Sequence, residues 1–491
     1  MNLHLRSCLF SSALLLFILF STLITSVSAQ DTSLIQEAQQ HWETYGVGGA
    51  CNHATQNLHV ADVDGDGVME IIVGAFMYHV INGSTTPSEG SIRIWNWNGQ
   101  NVTLEKAQNW AGATEVTYVA DADGDDIQEL FTAGVLRNET GVFGSLRVWQ
   151  WYHNELSLVT HKEGFSVESI FVADVDTDGS NEIITVGRMK VDSHYAPQLC
   201  IWKLEQNNLI LMETLALDAA DVASAISVYA HDLDDDGETE IITGGYSGAL
   251  NNSKGQLSIW NWNGEELSLK ADEKWQMVAN SYAQNIAGGV LGNTVVYNLK
   301  VGDVDGDGAP EIVTAGFVYD GEDVNGQLLV WSWDGVVLTQ KSHTEWISDS
   351  ITLVYCISLD DVDGDSRLEV VAGGMTGAYG SFKTDETSLN RGQLGVWGWD
   401  GKSLVLEHTQ DWTIGEGTCV WNVGTADLDN DGKVEIVTSG CMSINRLCDP
   451  DMRIWSIQAE PVSQAYLLFA VVGITAVAVI FAAVYLLKRR K

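Results

Sequence analysis

The sequence predicts an all-β chain: a seven-bladed β-propeller followed by a single C-terminal transmembrane helix. Three observations predict it. An acidic loop of fixed spacing recurs seven times along the 491 residues. Short alternating apolar runs bounded by glycine-rich turns flank each copy, which is the pattern of strands. With 48 glycines, 18 tryptophans and only 5 prolines, the composition is that of a folded, turn-rich chain, despite a formal net charge of −41.

The two ends are read first. Residues 1–29 carry Arg6, an apolar stretch and the small residues Val27-Ser28-Ala29, which is the layout of a secretory signal peptide. Residues 465–487 hold no charge and are long enough to span a bilayer, and the basic tail 488–491 follows at once. A buried core helix is the alternative for that stretch. Between them lie the propeller, residues 30–457, and a short linker, 458–464. The expected location is the cell surface: a single-pass membrane protein with an extracellular body and a very short cytoplasmic tail. Such a body repels nucleic acid and attracts cations.

The repeat opens with Asp62, Asp64, Asp66, Gly67 and Glu70. It returns as Asp121, Asp123, Asp125 and Glu129, with Asp126 in the glycine place. The third copy is Asp174, Asp176, Asp178 and Glu182, and the fourth is Asp232, Asp234, Asp236 and Glu240. The fifth is Asp303, Asp305, Asp307 and Glu311. The sixth is Asp361, Asp363, Asp365 and Glu369, with Ser366 in the glycine place. The seventh is Asp427, Asp429, Asp431 and Glu435. The first aspartates are 59, 53, 58, 71, 58 and 66 residues apart, a period that marks a repeat architecture.

Each unit reads as four strands. One precedes the acidic loop and one follows it, as in "EIIVGA" or "EIVTAG". A third ends in tryptophan, as in "IRIWNW" and "LLVWSW", and a tight turn such as Asn98-Gly99 or Asp334-Gly335 leads to a fourth, more polar strand. The seventh unit stops after its third strand, while "LIQEAQQHW" before the first unit resembles a fourth. Pairing the two closes a ring and protects the sheet edges. An open solenoid is the alternative, and it would need capping repeats that are not seen.

Four carboxylates within nine residues repel one another, and lysines and arginines are scarce nearby in the sequence. The compensating charge is therefore expected from a bound cation. Side chains at positions 1, 3, 5 and 9 suit a hard cation with oxygen ligands, and calcium, up to seven ions, suits the flexible geometry better than magnesium. The lack of histidine and cysteine in the pattern argues against zinc. The glutamate stands at position 9 rather than 12 and the flanks alternate like strands, so the loop is not an EF-hand. Glycine after the third aspartate suits a left-handed backbone, so the loops carrying Asp126 and Ser366 are expected to bind more weakly. Acidic turns without metal are the plain alternative.

The loop D-x-D-x-D-G-x-x-E, the following "EIIVGA" and the "GSIRIW" strand resemble the FG-GAP/VCBS repeats, known best from integrin alpha-subunit propellers. The resemblance runs from about residue 34 to 457. It departs in three ways: the Phe-Gly half of the motif is not legible before most loops, the third strand ends in Trp rather than Tyr, and the tail has no signalling motif. It implies a calcium-stabilised extracellular propeller for adhesion or recognition of a protein or glycan. The alternatives are an extracellular enzyme such as a polysaccharide lyase and a structural surface coat. The histidines are scattered and no nucleophile motif appears, so no catalytic residue is assigned and the chain is read as a binding module rather than an enzyme.

Tyr78, Phe317, Tyr319 and Tyr379 fall in or beside the long variable connections, where binding usually resides, with ordinary packing as the alternative. Cys441 and Cys448 are the best candidate disulfide pair; Cys51 and Cys419 could also meet, and Cys200 and Cys356 read as buried thiols. Asn82, Asn101, Asn138 and Asn251 begin glycosylation sequons.

Overall fold

Strand β1, Thr32–His41, does not pair with its neighbour in sequence. It lies beside β28, Leu447–Ala459, at the edge of a sheet ordered β1-β28-β27-β26, where β26 is Gly417–Ala426 and β27 is Glu435–Ile444. The N-terminal strand thus supplies the fourth strand of the last repeat. The computed structural model describes residues 32–42, 57–81, 84–138, 141–152, 155–191, 194–217, 222–249, 252–276, 294–320, 323–349, 351–377, 390–415, 417–444 and 447–459. Residues 36–456 belong to one unit, and the described residues 32–35 and 457–459 to the other.

The remaining repeats are antiparallel meanders in chain order. The first is β2 (Leu58–Ala61), β3 (Glu70–Ile81), β4 (Ser84–Trp97) and β5 (Val102–Trp110). The second is β6 (Val116–Ala120), β7 (Glu129–Asn138), β8 (Gly141–Tyr152) and β9 (Glu155–Glu163). The third is β10 (Ser166–Ala173), β11 (Glu182–Val191), β12 (His194–Glu205) and β13 (Asn208–Ala216). The fourth is β14 (Val222–His231), β15 (Glu240–Ala249), β16 (Asn252–Trp262) and β17 (Leu267–Trp275). The fifth and sixth repeats supply β18 (Thr294–Gly302), β19 (Glu311–Tyr319), β20 (Val324–Trp333), β21 (Leu338–Trp346), β22 (Ile351–Asp360), β23 (Glu369–Gly377), β24 (Arg391–Trp399) and β25 (Leu404–Trp412).

These last eight strands form one sheet. A single parallel pair, Val324 with Ile351, joins β20 to β22, because the short connection after β21 brings the start of β22 alongside the start of β20. The expectation of seven separate blades is corrected accordingly. The arrangement is propeller-like, with five four-stranded blades, and the strands of two further repeats merge into a sheet of eight.

The second correction concerns the membrane. Every regular element among the described residues is a strand, and no helix there is long and apolar enough to cross a membrane. The expected transmembrane helix and the cell-surface, single-pass location derived from it are corrected on this finding. Residues 1–29 and 465–491 lie outside the described residues, and the linker expected from residue 458 begins inside β28.

Sheets pack face to face through branched residues and tryptophans. Ile72, Ile92 and Ile94 of the first repeat meet Val119, Leu130 and Trp149 of the second. Leu58, Ile71 and Trp95 meet Leu428, Val437 and Ile454, so the first and last repeats share a core. Burying such a side chain contributes about 1.5–3 kcal/mol, which makes these interfaces the main source of stability.

The strands that precede the loops also touch. His59 and Tyr118 have ring centroids 4.7 Å apart, Tyr118 and Phe171 5.8 Å, and Phe171 and Tyr229 4.2 Å. The Lys300 ammonium sits 5.7 Å from the Tyr229 ring. Burial, helped by Lys300, pushes the His59 imidazole down to about 3, so it stays neutral.

Candidate metal centres

Each acidic loop joins the first and second strands of its repeat, and its first aspartate builds the turn. Asp62 Oδ1 accepts hydrogen bonds from the amides of Gly65 at 2.8 Å and Asp66 at 3.0 Å, and its Oδ2 accepts from Gly67 at 2.9 Å. Asp121, Asp174, Asp232, Asp303, Asp361 and Asp427 accept in the same way from the amide five residues on, at 2.9–3.0 Å. The position-9 glutamate closes the loop. Glu70 Oε2 accepts from Val63 N at 2.9 Å, and Glu129, Glu182, Glu240, Glu311, Glu369 and Glu435 repeat that bond at 2.9–3.2 Å. Every loop thus keeps one geometry.

Glycine, or its substitute, at position 6 takes the left-handed backbone: φ is +88° at Gly67, +66° at Asp126 and +71° at Ser366. Position 4 is left-handed as well, at Gly65, Gly124, Thr177, Asp235, Gly306, Gly364 and Asn430. The sequence reading missed that second site, although its Gly, Asp, Asn or Thr identity carries the signal.

The carboxylates converge as the spacing requires. One ligand atom each from Asp62, Asp64 and Asp66, from Asp121, Asp123 and Asp125, and from Asp174, Asp176 and Asp178 lies within 4.8 Å of the others in its set. The same holds for Asp232, Asp234 and Glu240, and for Asp303, Asp305 and Glu311. Burial pushes the glutamates up, to about 8 at Glu70 and Glu369 and about 7 at Glu129, Glu240 and Glu435, with the neighbouring aspartates adding to the rise. Asp234 Oδ1 is buried with no hydrogen-bond partner. An orphaned carboxylate oxygen among others fits an oxygen-liganded cation, and the all-oxygen donor set fits calcium.

Lysines and arginines are scarce beside the loops in the sequence, but folding brings lysines to two of them, so a bound cation is not the only source of compensating charge there. Lys341 Nζ lies 2.5 Å from Asp305 Oδ2, 2.8 Å from Glu311 Oε1 and 3.2 Å from Asp307 Oδ2. Lys203 Nζ lies 2.7 Å from Asp178 Oδ2 and 3.0 Å from Glu182 Oε1. Burial alone would lower the Lys341 ammonium, but its hydrogen bonds to Asp305 and Glu311 raise it above the ordinary lysine value. The bond to Asp178 does the same for Lys203.

Lys341 reaches the loop because of a bulge. In the outermost strand of six repeats one residue is skipped by the pairing register: Glu105, Val159, Met212, Lys270, Lys341 and Glu407. Glu105 is raised by burial and by Asp64 and Asp66, and Glu407 by burial and by Asp363 and Asp365, so the first and sixth loops face a fifth carboxylate. Sequence reasoning missed Glu105, Glu407, Lys203 and Lys341. No motif marks them, since they reach the loops from other strands.

The long connections are less completely described. Tyr379, Asn82 and Asn251 lie outside the described residues, as do the side chains of Tyr78 and Asn138. Phe317 is fully buried and stacks near Tyr297 at 5.8 Å, so it is core and not an exposed aromatic. Tyr319 packs partly buried on the same cluster. Cys441 and Cys419 are free thiols that stand opposite each other across β26 and β27; Cys51 and the side chain of Cys448 lie outside the described residues. Cys200 and Cys356 are buried thiols.

No protein-family model matches the chain, and no curated protein matches it significantly.

Proposed function

We propose that the chain is a calcium-stabilised recognition module: a rigid repeat scaffold, held by ions in its acidic loops, that presents a surface to a protein or glycan. The observation that carries the reading is the repeated cage. In at least five loops three carboxylate oxygens, from positions 1, 3 and 5 or from positions 1, 3 and 9, lie within 4.8 Å of one another, and at Asp234 a buried oxygen lacks any hydrogen-bond partner. The resemblance of these loops to FG-GAP/VCBS repeats supports calcium as the ion. A cleft of about 300 Å³ between the third and fourth repeats supports recognition. There Asp272 accepts from Gln256 Nε2 at 2.6 Å and Ser258 Oγ at 2.8 Å beside Trp260, a polar and aromatic lining suited to a hydroxyl-rich ligand.

Calorimetry with calcium, followed by a glycan and protein array probed with and without chelator, tests the reading. Several bound ions and a calcium-dependent array signal are the expected result. Fewer than three ions at millimolar calcium would overturn the metal part, and an array signal indifferent to chelation would overturn the coupling.

A further inference from the structure

We propose that the loops 174–182 and 303–311 are metal-independent clasps, in which the ammonium groups of Lys203 and Lys341 stand where the other loops take a divalent ion. The inference rests on the calcium reading of those other loops and assigns these two differently.

An ammonium has three hydrogens and no acceptor. Lys341 Nζ has three loop oxygens within 3.2 Å, from Asp305, Asp307 and Glu311, which are positions 3, 5 and 9 of the motif. Those are the oxygens that would otherwise coordinate the ion. Lys203 Nζ donates to Asp178 Oδ2, position 5, at 2.7 Å and forms an ion pair at 3.0 Å with Glu182 Oε1, position 9, an oxygen that accepts no hydrogen bond. The Glu182 and Glu311 side chains have no exposure to solvent, so the ammonium is the charge that compensates them. A divalent ion entering either loop would meet a fixed positive charge and would have to expel it.

The two lysines arrive by different routes, which makes a shared endpoint informative. Lys341 is the bulged residue of β21, and Lys203 follows Trp202 in β12. The residue after the matching tryptophan elsewhere is Asn96, Gln150, Asn261, Ser332, Gly398 or Ser456, none of them charged. Lysine at the bulge is not by itself sufficient. Lys270 occupies it in β17, where Asp234 Oδ1, like Glu182 Oε1 of the third repeat, keeps no hydrogen-bond partner; the third repeat differs in the ion pair that Lys203 makes with Glu182 at 3.0 Å. The array therefore combines loops that await an ion with two that are already neutralised, and the third and fifth repeats stay folded at any calcium level.

The test counts calcium ions on the full-length chain by native mass spectrometry and calorimetry, for wild type, Lys203→Met, Lys341→Met and the double variant. Wild type is expected to hold no more than five ions, each single variant one more, and the double variant two more. In chelator each variant should melt below wild type, with calcium restoring it. More than five ions on wild type would overturn the inference and leave the calcium reading intact. So would variants with an unchanged count and the same loss of melting temperature with and without calcium. A wild type that binds no calcium overturns the broader reading; the clasps then stand if each lysine variant gains an ion and fall if neither does. Should the variants not fold, hydrogen exchange on wild type in chelator decides. Protection retained at 303–311 and lost at 62–70 supports the clasp, and equal loss in both overturns it.

Discussion

Gly335 abuts Asp234: a Cβ atom built on that glycine would overlap the aspartate's Oδ2. Gly335 lies in the β20–β21 turn of the fifth repeat and Asp234 in the acidic loop of the fourth, so the hairpin of one repeat seats the loop of the one before. Gly99 meets Asp429, and Gly264 meets Asp176, in the same way.

Gly335→Ala should therefore act twice. Its φ of +83° costs a side chain about 1–2 kcal/mol, and the added methyl displaces Asp234 from its cage. Gly401→Ala is the matched control, with φ +93° and nothing within 4 Å of the added atom. Urea titration with and without calcium should show a larger loss for Gly335→Ala, and more so in calcium. Equal losses in both variants would show that the contact does not support the cage.

The two loop types call for opposite responses to aspartate removal. Asp363→Ala should lose one calcium ion, because its loop faces Glu407 and, among the described residues, no lysine ion pair. Asp305→Ala should lose none, because Lys341 holds that loop, but should destabilise by roughly 1–3 kcal/mol by breaking a partly buried charge-assisted bond. Ion counting and thermal melts on the two variants separate the effects. Loss of one ion from both would restore a uniform set of sites.

Arg453 ties β28 to β1. Its Nη1 donates to Gln36 Oε1 at 2.7 Å and its Nε to Asp451 Oδ2 at 2.9 Å, while its guanidinium lies 4.6 Å from the Trp412 ring. Asp451 is only 4 % exposed and also accepts from Gln39 Nε2 at 2.7 Å. Arg453→Met should cost about 3–5 kcal/mol, since it strands a buried carboxylate. The double change Arg453→Met, Asp451→Leu should recover much of it. Denaturant unfolding of both variants checks this, and no recovery would mean the loss came from the ring contact instead.

Stability should also depend on pH through Glu115. Burial, then the Glu168 charge, raises its carboxyl to about 7 from an ordinary 4.5, with Arg188 opposing. The native state therefore keeps a proton that the unfolded chain gives up. Stability contributed by that proton is complete below about pH 4.5, is lost as pH rises towards 7 and stays lost above it. Glu115→Gln should be more stable than wild type at pH 8, by at most about 3 kcal/mol, and the gap should close near pH 4.5. A difference independent of pH would remove Glu115 as its cause.

Much of this protein was settled by the sequence alone. Strand positions follow from local alternation, and loop geometry follows from residues at most nine apart: Asp62 reaches Gly67, and Glu70 reaches Val63. Such contacts depend only on the local chain. The tertiary structure decided what depends on distant partners. Lys203 and Lys341 reach their loops from other strands, 25 and 34 residues beyond Asp178 and Asp307, and a bulge aims Lys341. The merging of two repeats into one sheet turns on a single pair, Val324 with Ile351, that no period in the sequence encodes. Phe317 sits in a segment read as a binding connection yet is buried, because Tyr297 on the adjacent strand packs over it. Motifs are legible because charge and backbone conformation act over a few residues. Charge compensation and packing are set by whichever side chains folding brings together.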